Sequence, residues 1–236
     1  MITVLVPTFN ELQNGNKLPE ILNLFDEITD IEVICIDSNS TDGTKELINK
    51  HNLKLIQTDT TSRAKRFNLG ILEAKGSMIL LHHPRSVLTK AGLDYLSSKQ
   101  DELTWGAFTH KFDLNHPILA FTSWYSNTIR PLRGIYYLDH CIFCQKELLL
   151  EVGMLPEVDI FEDSDLSKRL SLKSKPKRLP YISQTSAIRF KKNGIIYQCI
   201  LNQVLKLKYY LRINHKKMNK SYETGLELNS TYDKDK

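Results

Sequence analysis

The run Ile2-Thr3-Val4-Leu5-Val6, closed by Pro7-Thr8-Phe9-Asn10-Glu11, and the run Glu32-Val33-Ile34-Cys35-Ile36, closed by Asp37-Ser38-Asn39-Ser40-Thr41-Asp42-Gly43-Thr44, decide the fold. Each is a short apolar, β-branched stretch that halts in small polar residues, as a buried strand does where it meets a loop. Between them Leu18, Ile21, Leu22, Phe25 and Ile28 recur at helical spacing and give one apolar face. Strand, helix and strand in this order make a βαβ crossover with two parallel strands. Open α/β sheets bind ligands in the crevice at the carboxyl ends of such strands. The acceptors gathered there suit a nucleobase, ribose hydroxyls or a metal ion.

Outward from this unit, Thr41-Asp42-Gly43-Thr44 opens a second helix, with Ser40 or Thr41 as its N-cap. Leu53–Ile56 reads as a third strand, and Arg63–Lys75 as a helix stopped by Gly76. Met78–Leu81 is a fourth strand. The first ninety residues thus alternate β and α, which implies a mostly parallel sheet. The second half is less regular. Strands are expected near 105–114, 142–143 and within 177–188, and helices over 117–130, 146–152, 163–172 and 194–214. The last of these interleaves Lys206, Lys208 and Arg212 with its apolar positions. Beyond Lys216 the chain is polar and lysine-rich and reads as disordered.

The chain has 236 residues, 41% hydrophobic and 25% charged, which is ordinary for a globular protein. A net charge of +5 does not point to nucleic acid. Most of the excess lies between Lys173 and Lys220, where it suits a phosphate-bearing substrate or an anionic lipid surface as well as it suits solvated helix faces. Cys141 and Cys144 sit three apart on an expected strand, so their thiols point to opposite faces. Reduced, buried cysteines of a cytosolic protein are expected, not zinc or redox chemistry. Met1 leads straight into a strand, and no apolar run approaches the roughly 20 residues of a spanning helix. A cytoplasmic protein is expected, with contact at the inner face of the cell membrane through the carboxyl-terminal basic helix left open. Of Trp105, Trp124, Tyr125, Tyr136 and Tyr137, packing in the core is favoured over stacking on sugars.

Four motifs in order resemble the family 2 glycosyltransferases: Val6–Glu11, Ile36–Thr44, Arg63-Ala64-x-x-x-Asn68-x-Gly70, and Phe161-Glu162-Asp163-Ser164-Asp165-Leu166-Ser167-x-Arg169-Leu170. The likeness spans roughly residues 1–212 and is greatest to a compact subgroup described as radical-SAM/selenodomain-associated transferases. It implies a single α/β domain of GT-A, Rossmann-like architecture over 1–215, a mostly parallel sheet flanked by helices. Residues 1–90 would take the nucleotide sugar and 91–215 the acceptor, with 216–236 a polar tail. The implied reaction moves a sugar from a nucleotide-diphosphate donor to a hydroxyl acceptor, lipid-linked or another glycan precursor, with inversion. One element departs from the pattern. Where the family carries an acidic metal-binding turn after the fourth strand, this chain reads Leu81-His82-His83-Pro84-Arg85.

The donor site expected from these motifs comprises Pro7, Thr8, Asn10, Glu11, Asp37, Ser38, Asp42, Arg63, Asn68 and Arg85. Asp37 would accept from a base N–H, and Thr8, Asn10 and Glu11 would hold ribose hydroxyls. Arg63 and Arg66 are candidates for the diphosphate. A departing diphosphate gathers charge that Mg²⁺ or Mn²⁺ usually stabilises, and Pro84 cannot ligate. Three readings stay open: His82 and His83 bind an ion, Arg85 supplies the counter-charge without a metal, or catalysis is lost. Inverting transfer needs one base for the acceptor hydroxyl. Asp163 is expected in that role, flanked by Glu162 and Asp165, with Asp139 and His140 lining the acceptor pocket. The competing reading is a non-catalytic nucleotide-sugar-binding relative that acts as a partner or regulatory subunit.

Overall fold

A computed structural model describes residues 1–13 and 17–223. The four early strands form as read: β1 (Ile2–Thr8), β2 (Ile31–Asp37), β3 (Lys54–Gln57) and β4 (Met78–Leu81) pair in parallel in the order β3-β2-β1-β4. They are linked by α1 (Leu18–Asp26), α2 (Thr44–Lys50) and α3 (Arg63–Glu73). Helices cover both faces, so the central strands are buried on both. Val4, Val6, Val33 and Cys35 face the layer of α1, where Leu22 and Phe25 pack. Leu5, Ile34 and Ile36 face the layer of α3, where Phe67 and Ile71 pack. The period of two along each strand divides the core into these two layers.

The remaining elements are β5 (Ser86–Leu88), α4 (Lys90–Ser98), β6 (Trp105–Phe112), α5 (Pro117–Thr128), β7 (Ile142–Gln145), α6 (Lys146–Glu151), α7 (Glu162–Lys173), β8 (Lys177–Thr185), α8 (Ile188–Asn193), α9 (Ile195–Tyr210) and α10 (His215–Glu223). Short 3₁₀ turns occupy Arg130–Arg133 and Leu138–His140. One eight-stranded sheet results, ordered β3-β2-β1-β4-β7-β6-β8-β5. It is parallel as far as β4, antiparallel through β7 to β6, and parallel again between β6 and β8. Gly106 is required where β6 meets β8, because a Cβ there would overlap the Lys177 carbonyl.

Several expectations are corrected. The cap of α2 is Gly43 at φ 93°, not Ser40 or Thr41, and the first-turn N–H of Thr44 is taken by Asp42. Helix α3 ends at Glu73, before Gly76. Gly76 serves close packing instead, since a Cβ would fall 2.6 Å from the Met1 carbonyl oxygen. Residues 215–223 form α10 and are not disordered: Met218 is buried against Ile160 and Leu205. The rest of the expected tail, 224–236, lies outside the described residues. Cys141 and Cys144 are free and fall in opposite core layers, as their spacing required. Trp105 and Tyr136 are core residues, whereas Trp124 is exposed. Among the described residues no helix is long and apolar enough to cross a membrane.

Candidate active site

Register brings the first two motifs together. Thr8 and Asp37 are paired positions on β1 and β2, whereas β4 ends three positions earlier, with Leu81 opposite Leu5 and the amide of His82 donating to the Leu5 carbonyl. The Asp37 carboxylate accepts from Thr8 Oγ1 at 2.8 Å, Ser40 Oγ at 2.6 Å and the Ser40 amide at 2.7 Å. A carboxylate offers about four lone-pair positions, so these bonds leave one unfilled on the fully buried Asp37. Ser38 donates to the Thr60 carbonyl, and Pro7 is buried in the strand. Asn10, at φ 47°, closes the loop: its amide donates to Ser40 Oγ and its side-chain oxygen accepts from Thr41.

Asp42 does not present a free carboxylate. Its oxygens accept from the amides of Leu12, Gln13 and Thr44 and from Thr44 Oγ1, joining the first loop to the second. Burial would raise its pKa, but these bonds outweigh it and hold the carboxyl below the usual range. Asn68 is likewise structural, exchanging two hydrogen bonds with the Leu155 backbone at 2.9 and 3.0 Å. Arg66 turns inward, donates to the Thr8 carbonyl at 2.6 Å and has its pKa lowered to about 10 by burial.

The turn after β4 separates its two histidines. His82 is fully buried edge-on to Phe25, 5.3 Å between ring centroids, on the α1 face. Neither ring nitrogen has a partner, and burial lowers its pKa to about 3. His83 faces the other way, into a cavity, and its Nδ1 accepts from the Arg85 amide at 3.1 Å. The expectation that both ligate one ion is therefore corrected: alternation along the strand turns them apart. Pro84 has no ligating atom, and among the described residues no three His, Cys, Asp or Glu side chains converge on a point. This donor set does not fit the Mg²⁺ or Mn²⁺ that the family resemblance implies. Arg85 stands in the turn instead, buried, its Nε 3.3 Å from the equally buried Glu11. Burial pushes the Glu11 pKa up against the pull of Arg85 and Arg66.

The cavity encloses about 200 Å³. Arg63, His83, Arg85, Arg130, Tyr137, Asp139, Asp163, Arg189, Lys206 and Tyr222 are among the residues that line it. Asp163 sits in the first turn of α7, which follows Phe161 at φ 65°. Its Oδ2 accepts from the Leu138 amide at 3.1 Å and its Oδ1 from the Ser164 amide at 2.7 Å. Burial, then the neighbouring Glu162, raises its pKa to about 7 against the opposing pull of Arg63. Glu162 is itself buried and binds Arg63 at 2.6 Å, tying α7 to α3 across 99 residues of sequence. Arg63 is held charged: burial opposes its charge, but Glu162 and Asp163 outweigh it.

Asp139 lines the cavity with an oxygen 3.5 Å from His110 Nε2. Burial would raise its pKa, but His110, His140 and Arg130 hold it low. Of the expected site residues, Arg63, His83, Arg85, Asp139 and Asp163 line the cavity, and the others, Thr8, Asp37, Ser38 and Glu162 among them, fall outside its lining. His140 lies behind Asp139, fully buried, with Nε2 on Ser126 Oγ and Nδ1 on the Phe108 carbonyl. Asp165 faces away from Asp163 and pairs with Arg169 at 2.9 Å. Sequence reading missed Arg130, Arg189 and His110, and it favoured the core for Tyr137, which lines the cavity. These are isolated residues of the irregular half, brought together only by the sheet order.

Residues 3–83 match the model of a family described as Glycosyl transferase family 2. No curated protein sequence matches the chain. Among solved structures, S. aureus TarS 1-349 in complex with UDP-GlcNAc aligns with TM-score 0.63 and 21% identity over 78% of this chain and 58% of that one. The mannosyltransferase PcManGT from Pyrobaculum calidifontis, in complex with GDP-Man and Mn²⁺, aligns with TM-score 0.63 and 19% identity over 94% and 63%. Glucosyl-3-phosphoglycerate synthase from Mycobacterium tuberculosis aligns with TM-score 0.61 and 13% identity over 90% and 80%. The chain spans only 36% of the longer TarS structure. With its first third similar in sequence to the family 2 glycosyltransferases and most of its length aligned in fold, the chain shares the GT-A α/β fold of these structures.

Proposed function

We propose that the chain transfers a sugar from a nucleoside-diphosphate donor to a hydroxyl acceptor with inversion. The carrying observation is Asp163: a buried carboxylate on the cavity wall, its pKa near neutrality, with Arg63 close by. In this reading the Asp163 carboxylate takes the proton of the acceptor hydroxyl as that oxygen bonds to the anomeric carbon. The bond from that carbon to the diphosphate oxygen breaks, and the nucleoside diphosphate leaves with the electron pair. Thr8, Asp37 and Ser38 hold the nucleoside at the strand ends, Asp37 with its one remaining lone-pair position. Arg63 and Arg85 hold the diphosphate and offset its growing charge, as preorganised donors do where charge develops. His82, Asn68, Asp42, His140 and Asp165 support this site without touching substrate. The division into a donor half and an acceptor half belongs to the same reading.

We further propose that α9 rests on an anionic membrane surface. Ile196, Ile200, Leu207 and Leu211 are each at least 60% exposed, with Lys208 and Arg212 among them, as in an interfacial amphipathic helix.

The first experiment is a thermal-shift panel of nucleoside-diphosphate sugars, each with Mn²⁺ and with EDTA. A donor that raises Tm equally in EDTA is the expected result. A shift only with Mn²⁺ would overturn the role of Arg85. No shift with any donor would favour the non-catalytic, regulatory reading, which Pro84 alone supports.

A further inference from the structure

Five cations surround the cavity, and three have carboxylate partners: Arg63 with Glu162, Arg85 with Glu11 and Arg189 with Glu223. Arg130 and Lys206 have no carboxylate within ion-pair distance among the described residues. Arg130 is held in place all the same. Arg130 leaves the 3₁₀ turn after α5, lies over the Tyr137 ring at 4.4 Å and donates to Ser126 Oγ at 2.7 Å. A guanidinium has five N–H donors, so most of its donors stay unused. Lys206 enters from α9, with Asn202 and Leu205 of the same helix also in the cavity lining. Burial and then the charge of Arg130 lower its pKa to about 8. Asp139 is the carboxylate whose field reaches both, and it is already in the field of His110 and His140.

Two like charges brought together away from bulk water raise the free energy of the empty site, and an anion between them lowers it. Both line the cavity together with Tyr137, Asp139 and Asp163, whereas Arg63 and Arg85 are already paired with Glu162 and Glu11. Two positive charges match the −1.5 to −2 of a phosphate monoester near neutral pH.

We propose that Arg130 and Lys206 form a phosphate subsite, so that the acceptor carries a phosphate group beside the hydroxyl presented to Asp163. This rests on the transferase reading and deepens it. The phosphate belongs to a lipid headgroup or to a soluble ester, and the chemistry at the subsite is the same.

The test uses the full chain and its R130Q, K206Q, R130K and K206R variants, titrated with inorganic phosphate. Phosphatidylcholine vesicles containing dodecyl phosphate, with dodecanol vesicles as control, form a second arm. Each variant is also titrated with the nucleoside-diphosphate sugar that shifts the wild type most. The expected result is phosphate binding weakened about tenfold or more in each Gln variant, largely retained in the Arg and Lys exchanges, with donor affinity unchanged. The exchanges keep the charge and so serve as controls if a Gln variant folds poorly. Retention on dodecyl phosphate vesicles alone, lost in the Gln variants, would assign a lipid source, and equal binding of inorganic phosphate a soluble one. Phosphate affinity unchanged in both Gln variants would overturn the subsite. So would a donor affinity that falls by the same factor, because the cations would then serve the donor. Phosphate binding without any donor shift would leave the subsite standing and defeat the transferase reading instead.

Discussion

Replacing Asp163 with Asn separates two effects of the same burial. The carboxyl has an ordinary pKa of 3.8, raised to about 7 in the fold, first by desolvation and then by Glu162. A group whose folded pKa is raised gives its full stability below the unfolded pKa and loses it as pH climbs to the folded value. Asp163 therefore costs the protein stability progressively between about pH 4 and pH 7. At 1.36 kcal/mol for each pH unit, the ceiling is about 4 kcal/mol, and the shared titration with Glu162 and Arg63 takes back part of it. Asn does not titrate. It keeps one amide-accepting oxygen where Asp163 uses two, for the Leu138 and Ser164 amides, a loss of roughly 1 kcal/mol at every pH. The informative quantity is thus the change with pH in the Tm difference between D163N and wild type. For a chain of this size about 1 kcal/mol moves Tm by roughly 2–4 °C. D163N should gain several degrees on the wild type between pH 4 and pH 8 and then hold level. Scanning calorimetry across that range measures it. Nucleoside-diphosphate release, assayed in parallel, should fall about 10²–10⁴-fold. A Tm difference flat from pH 4 to pH 8 would refute the raised pKa, and unchanged turnover would refute the role as base.

Three more outcomes are expected. His82→Leu removes two buried ring nitrogens that have no partner; it should leave stability at pH 7 unchanged or higher. It should also improve resistance below pH 6.5, where the lowered pKa of His82 makes the fold lose stability as pH falls, and acid denaturation monitored by circular dichroism would reveal the contrary. Asn68→Ala breaks both bonds to Leu155 and should cost about 1–3 kcal/mol in urea unfolding, with donor affinity intact; weakened donor binding at unchanged stability would restore Asn68 to the donor site. Pro84→Asp puts a carboxylate beside His83 and Arg85 and should introduce Mn²⁺ dependence in the donor thermal shift. An unaltered response to EDTA would argue that this turn does not meet the diphosphate.

The amino-terminal half was legible because its strands are buried on both faces and its helices are amphipathic, so both periods stand out in the sequence. Most of the missed elements are too short or too polar to show such a period, although α4 carries one, with Leu93 and Leu96 buried, and was overlooked. Strand β5 is three residues long and exists through its pairing with β8, and α8 is six residues with three cations. Helix α10 reads as polar, yet Met218 packs on Leu205 and the Tyr222 carbonyl accepts from Arg189. At the site, residue types were legible and directions were not. Two of the errors were avoidable. Asp165 lies two positions beyond Asp163 on a helix, a spacing that does not share a face. His82 continues the alternation of Met78 and Leu80 toward α1. That Arg130, Arg189 and Lys206 share one cavity was not legible, because the segments that carry them meet only through tertiary packing.

The strand order carries a consequence for how the chain reaches this state. Strand β7 inserts between β4 and β6, and β8 between β6 and β5. A chain synthesised only to residue 141 can assemble the parallel patch β3-β2-β1-β4, but it leaves Met78-Ile79-Leu80-Leu81 as a bare, wholly apolar edge. Strands β5 and β6 then have no neighbour in the sheet at all. Such an edge is a template for pairing with other chains. The nascent protein is therefore most prone to aggregate after its parallel strands are complete and before Ile142–Gln145 arrives to cover that edge.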